Sequence, residues 1–374
     1  MENTIGARIA NAGNTRGFDY LRIILSFGVL LWHSCYVIGD LELEKFILGS
    51  FLGTIKLLVL PMFFALSGFL VAGSLERSRT LEGFMTLRVV RLVPALAVEI
   101  LLSLFVIGAI FTTLPLWEYF TNLKTLAYLW NIVGYIHFEL PGVFLDNPRP
   151  PIVNVSLWTV PYELDCYLML LGAAIFGIFR RRSIFLSLVI AASAGYWAAN
   201  LYRSDFDGFT ALTASGRLLV ISFLAAISVY LYRDKIPLNT WLGCLSGALT
   251  LVLLSFDQTK LLCPFPAAYF TVWLGLMNPP KVPVLMDGDY SYGVYLFAYP
   301  IQQVLATAPS LRLWWVNFLL AGLLSLLYAA FSWHCVEKPI LSRKKVIVGN
   351  VEQFGVMLRA GIRKAAAVLK VRSA

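Results

Sequence analysis

Apolar runs of about 18 to 23 residues recur along most of this chain, and each is long enough to cross a bilayer as a helix. Only 14% of the 374 residues are charged, 59% are hydrophobic and mean hydropathy is +0.75. A soluble domain carries about 25% charged residues. The expected fold is therefore all-α: a polytopic integral membrane protein. The runs read as spans at 18–39, 51–73, 92–113, 157–179, 184–202, 213–232, 238–256, 261–277, 290–308 and 313–335, about ten helices in all. The first run follows a basic lead, Arg8 and Arg16, but is long and lacks a small-residue cleavage site. It reads as a span rather than a cleaved leader.

Charge sets the expected orientation. Loops on one side hold Arg77, Arg79, Arg88 and Arg91, then Arg180, Arg181 and Arg182, then Arg233 and Lys235, then Lys281. About two-thirds of all Lys and Arg fall on that side, which also takes both termini, so it is expected to be cytoplasmic. The net charge of +9 is thus a topology signal. Its basic residues are split among short loops, with no continuous patch for nucleic acid. The five cysteines are scattered with no C-x-x-C pair, so neither a disulfide framework nor a metal site is expected. The longest outward loop, Leu114 to Ser156, runs from an aromatic stretch into "LPGVFLDNPRPPIV". It reads either as a lid or binding element or as an interfacial helix with a linker. Residues 1–345 form the expected transmembrane domain and 346–374 a basic tail. In that tail Phe354, Leu358, Ile362 and Leu369 share a stripe, with Arg359, Arg363, Lys364, Lys370 and Arg372 largely off it. Such a helix suits an anionic leaflet.

Within the first span, "RIILSFGVLLWH" places Arg22 and His33 eleven positions apart. That spacing is about 20° past three full turns, so both point to one side, roughly 16 Å apart along the axis. Asp19 lies three residues before Arg22, within reach of an ion pair. Charge at membrane depth is costly unless it faces a polar cavity or a partner. Arg22 and His33 are therefore expected to line an interior cleft. The competing reading is an arginine snorkelling to headgroups and a hydrogen-bonded core histidine.

Neighbouring motifs favour the cleft. "RVVR" sets Arg88 and Arg91 on one helix side, where they can clamp phosphates or simply anchor the chain. "PMFFALSGFLVAG" brings Ser67 and Gly68, small enough for close helix approach. "SLWTVPYELDCY" carries Trp158, Glu163 and Asp165; two apart, only one of the acids faces the cavity, and Glu163 is taken as that one. "DYSYGVYLFAYP" offers Tyr292 and Tyr295 as cleft or interfacial tyrosines. Glu99 is a further intramembrane acid without a motif around it.

In this order the motifs resemble the acyltransferase-3 family of integral membrane acyltransferases, which includes bacterial surface-polysaccharide O-acetyltransferases. The likeness runs from about Phe18 to Pro339: Arg-x10-His, "FFALSGFL", "RVVRLVP", "LWTVPYE", "YSYGVYLFAYP" and "VEKP". It implies that Arg22 and His33 are critical and that Arg88 and Arg91 serve the acyl-CoA side. One position departs from the family pattern: Ala298 stands where a histidine is usual. His137 and His334 are poorly placed to replace it, so acid–base work falls on His33.

The expected reaction uses no bound cofactor. Acetyl-CoA is the acyl donor, with phosphates on Arg88, Arg91 and Arg22. A carbohydrate or lipid-linked glycan supplies the acceptor hydroxyl, and the chain sits in membrane lipid, the bacterial inner membrane. His33 is expected to act with Arg22 and Glu163, either as general base or as a transient acyl acceptor. A proton-coupled transporter is the alternative, since intramembrane Arg, His, Glu and Asp also mark carriers. Carriers commonly show internal repeats, and none is evident here.

Overall fold

A computed structural model describes residues 4–12, 16–149, 151–202, 215–282 and 288–372, with side chains of the last helix described through residue 360. Among these residues the chain is all-helical, and β pairing is limited to isolated bridges such as Thr112 with Val143 and Glu139 with Ile152. The principal helices are α1 (Gly17–Val37), α2 (Phe51–Arg77), α3 (Leu81–Leu102), α4 (Val160–Ile175), α5 (Arg182–Tyr202), α6 (Gly216–Leu231), α7 (Thr240–Leu254), α8 (Pro264–Gly275), α9 (Ser291–Ala306), α10 (Trp314–Ser332) and α11 (Lys344–Arg372). Side-chain caps start several of them: Ser50 accepts from Leu52 N ahead of α2, and Thr80 from Gly83 N ahead of α3.

Five helical stretches are long and apolar enough to cross a membrane: Gly17–Val37, Phe51–Arg77, Leu81–Phe111, Arg182–Tyr202 and Trp314–Ser342. The sequence pattern predicts about ten such spans. At the other five places stand helices of 12 to 16 residues, α4, α6, α7, α8 and α9. At 1.5 Å per residue they reach roughly 18–24 Å, short of a ~30 Å hydrocarbon core. At α4 and α8 the apolar run is longer than the helix because local breakers cut it. Pro161 and Pro264 open α4 and α8, and Gly177 turns left-handed (φ 69°) just past the end of α4. The third span is also irregular: α3 passes through a π-helical turn, Ser103–Gly108.

The core gathers on α2. Phe64, Ala65, Leu66, Phe69 and Ala72 are buried against Leu218, Leu219, Phe223 and Ala226 of α6. Large side chains such as Ile110, Leu188, Leu323 and Phe331 remain exposed on the spans, a surface that suits lipid rather than water. A second cluster joins α3 to the long loop through Leu96, Ile100, Leu104, Tyr119, Tyr128, Leu140 and Leu157. That loop is accordingly packed. Two short helices, Leu116–Thr121 and Leu123–Ala127, cross it, and Tyr119 Oη donates to Leu104 O at 2.8 Å. At the opposite end α11 lies against the start of α3: Glu352 meets Thr80, and Arg359 pairs with Glu82. Phe354 and Leu358 stay exposed on α11, while the side chains of Ile362, Arg363, Lys364, Leu369, Lys370 and Arg372 fall outside the described residues.

Candidate active site

One cavity of about 150 Å³ lies between α1, α2, α3, α4 and α9. Its polar wall is made by Arg22, Arg88, Arg91, Glu163, Tyr292 and Tyr295, with Ser67 at the small-residue turn of α2. Leu60, Phe63, Phe64 and Leu70 form much of its apolar wall. The "RIILSFGVLLWH", "LSGF", "RVVR", "VPYEL" and "YSYGVY" segments, far apart in sequence, thus each give at least one side chain to a single space.

Arg22 and Arg91 are held chiefly by carboxylates that sequence spacing does not pair with them. Asp289, just ahead of α9, takes Arg22 Nη1 at 3.0 Å and also pairs with Arg91. Arg91 reaches Glu337 at 3.5 Å, and Arg22 keeps Asp19 at 3.6 Å. Ser291 Oγ donates to the second oxygen of Asp289 at 2.8 Å. Burial pushes the Asp289 carboxyl up, but the guanidiniums of Arg91 and Arg22 outweigh it and hold the group below the usual carboxylate range. Asp289 belongs to the "DYSYG" segment and Glu337 to "VEKP", so both motifs supply counterions to the "RVVR" helix. Neither acid was marked by the sequence pattern beyond its place in those segments.

Arg88 is different. Its Nη2 donates to Ser74 Oγ at 3.0 Å, its Cζ lies 5.9 Å from the centroid of the Phe84 ring, and its Nε is buried without a hydrogen-bond partner. Among the described residues no carboxylate forms an ion pair with it. Glu163 accepts a hydrogen bond from Tyr167 Oη one turn along α4. Tyr295 Oη lies 2.6 Å from Thr159 Oγ1, and both line the cavity.

Of the residues singled out from the sequence, Glu99 and Asp165 lie outside the cavity wall, and so do Asp19, Trp158 and His33. Asp19 sits at the rim with its side chain 58% exposed. Trp158 packs edge-on against Tyr162. His33 is farther along α1, where its ring meets Tyr299 of α9 edge-on at 5.1 Å between centroids. Its Nδ1 is buried and has no hydrogen-bond partner. Gln302 of α9 clamps the same stretch of α1, donating to Leu30 O at 2.8 Å and to Ser34 Oγ at 2.6 Å. Ala298 is buried against Leu30 and Ala329.

The acyltransferase-3 family, described as an acyltransferase domain, matches residues 15–334. A nodulation protein 10 of Rhizobium leguminosarum bv. viciae is 27% identical over 372 residues, covering 91% of this chain and 97% of its own. An O-acetyl transferase of Shigella phage Sf6 is 26% identical over 342 residues, covering 87% of this chain and 96% of its own. No solved structure matches.

Proposed function

This chain belongs to the acyltransferase-3 family and is an acyltransferase, and we propose that it is a membrane O-acetyltransferase moving an acetyl group from cytoplasmic acetyl-CoA to a hydroxyl of a carbohydrate acceptor. The observation that carries this reading is the convergence of Arg22, Arg88 and Arg91 on one cavity between helices. Acetyl-CoA is polyanionic, and guanidinium forks suit its phosphates. The name of the phage relative favours acetyl as the group transferred to oxygen.

In this reading the donor enters from the arginine side and its extended arm runs along α1 toward His33. Arg22 and His33 are roughly 16 Å apart along the helix, a distance such an arm can span. The acceptor oxygen bonds to the acetyl carbonyl carbon and the C–S bond breaks. The hydroxyl proton passes to neutral His33 and then to the departing thiolate. The unpartnered Nδ1 leaves His33 with a nitrogen free for this task. Glu163 and its Tyr167 partner form the polar wall facing the arginines. The acceptor approaches from the side of the 114–156 loop in the bacterial inner membrane.

The test is direct. Membranes bearing the protein are incubated with acetyl-CoA radiolabelled in the acetyl group, and surface glycan is extracted and counted. Label in glycan that depends on the protein supports the reading. Label that stays in acetyl-CoA under conditions where the protein is folded overturns it.

A further inference from the structure

Glu99 is fully buried on α3 yet takes no part in the cavity wall. An acid in the middle of an apolar span is costly without partners. Its partners form a continuous line. Ser103 Oγ donates to Glu99 Oε1 at 2.7 Å, and Asn154 Nδ2 donates to the same oxygen at 2.9 Å. Asn154 also donates to Leu296 O of α9 at 2.8 Å, while its own Oδ1 accepts from Ser156 N. That last bond caps the single 3₁₀ turn Val155–Thr159, which runs straight into α4. At the far end of the turn Thr159 meets Tyr295 inside the cavity, and Tyr295 Oη also donates to Ser156 O at 3.2 Å.

We infer that Glu99 is a positioning residue: through Asn154 it fixes the Val155–Thr159 turn, and with it Thr159 and Glu163, against the Tyr295 face of the cavity. Three elements are joined through Glu99 and Asn154: α3 with its arginines and the end of the long loop at the carboxyl group, and the tyrosine helix α9 at the Asn154 amide. The role needs a hydrogen-bond acceptor at Oε1 and no charge, because no cation pairs with Glu99 among the described residues. Glutamine meets that need, since its carbonyl accepts both bonds. Alanine does not. The inference rests on the acyl-transfer reading only for its activity readout.

The experiment has two readouts. Ser156 is buried and its hydroxyl has no hydrogen-bond partner, so Ser156→Cys in a cysteine-free background is a benign reporter thiol. In the parent and in Glu99→Gln this thiol is expected to resist maleimide. In Glu99→Ala and Asn154→Ala it is expected to label. Acetyl transfer should follow: kcat falls about 10- to 100-fold in both alanine variants, as for a misplaced reacting geometry, with KM for acetyl-CoA unchanged and Glu99→Gln close to the parent. Asn154→Ala removes the cap itself and calibrates the freed turn, so where Glu99→Ala fails to accumulate, Glu99→Gln against Asn154→Ala still decides the inference. A Glu99→Gln variant as impaired as Glu99→Ala overturns the inference and makes the proton of Glu99 a participant. A protected thiol and full kcat in the alanine variants overturn it too. Labelling that follows Glu99 in a protein that transfers no acetyl sustains the positioning role and removes the acyl-transfer reading instead.

Discussion

Arg88 differs from its two neighbours in what it already holds. Arg22 and Arg91 share Asp289, and Arg91 adds Glu337, so much of their charge is spent within the protein. Arg88 has a serine hydroxyl, an aromatic ring and an idle Nε. A bond to a charged partner is worth about 1.5–3 kcal/mol, so Arg88→Ala should raise KM for acetyl-CoA by about tenfold or more while the protein accumulates normally. Lysine there should rescue only in part, lacking the planar fork. Arg91→Ala leaves the buried Glu337 without its cation and Asp289 with Arg22 alone, and should instead lower the yield of folded protein. Equal KM shifts with undiminished yield for both variants would count against this division. His33→Ala should lower acetyl transfer by about 10²–10⁴-fold at unchanged expression, the usual cost of losing a general base; near-normal glycan acetylation by that variant would remove His33 from the chemistry. Residue type and helical spacing pointed to the three arginines that share the cavity; they also put His33 in the same cleft, and it lies farther along α1 against Tyr299. Asp289 and Glu337 were not legible as their partners. Pairing across 198 positions, as between Arg91 and Asp289, leaves no periodic trace.

Among the elements, α2 shows what composition can and cannot announce. The small residues of "LSGF" predicted close helix approach, and at Gly68 an added Cβ would collide with the Phe223 carbonyl oxygen of α6. Backbone does not yield as a flexible side chain does. Gly68→Ala should therefore destabilise the protein by about 1–3 kcal/mol, read as a lower melting temperature in detergent. Gly172→Ala is the control, because a Cβ there meets nothing within 4 Å, and it should be neutral or slightly stabilising. Equal melting temperatures for the two variants would mean that α2 and α6 can part at no cost. Helix lengths were harder to read. Hydropathy counts apolar residues and does not register that a 3₁₀ turn precedes α4 or that a glycine ends it. The π-helical turns Ser103–Gly108 and Trp333–Glu337 were invisible for a similar reason: an i→i+5 bond needs no particular composition. Each lies beside or includes a buried glutamate partner of the site, Glu99 in the first case and Glu337 in the second.

At the scale of the whole molecule, α1 measures the distance between the two ends. Arg22 sits near its start with Asp289, and at its finish Tyr36 O accepts from Arg149 Nε of the long loop at 3.2 Å. A helix of 21 residues is about 30 Å long, the thickness of a hydrocarbon core. The arginine rim and the 114–156 loop therefore occupy opposite ends of a bilayer-sized body. The Lys and Arg asymmetry predicts that the rim faces the cytoplasm. Single cysteines in a cysteine-free protein test that assignment with an impermeant thiol reagent on spheroplasts. In the long loop Asp146 is exposed and suits a reporter, whereas its neighbour Asn147 is buried against Gln303. Asp146→Cys should label from outside, and Ser78→Cys, one residue past the end of α2, should label only after the membrane is opened. The donor must then enter at the arginine end and the acceptor at the loop end, with α1 running between them from Arg22 to His33. The reverse labelling would turn the arginines away from the compartment that holds acetyl-CoA, and transfer across the membrane by this route would fail with it.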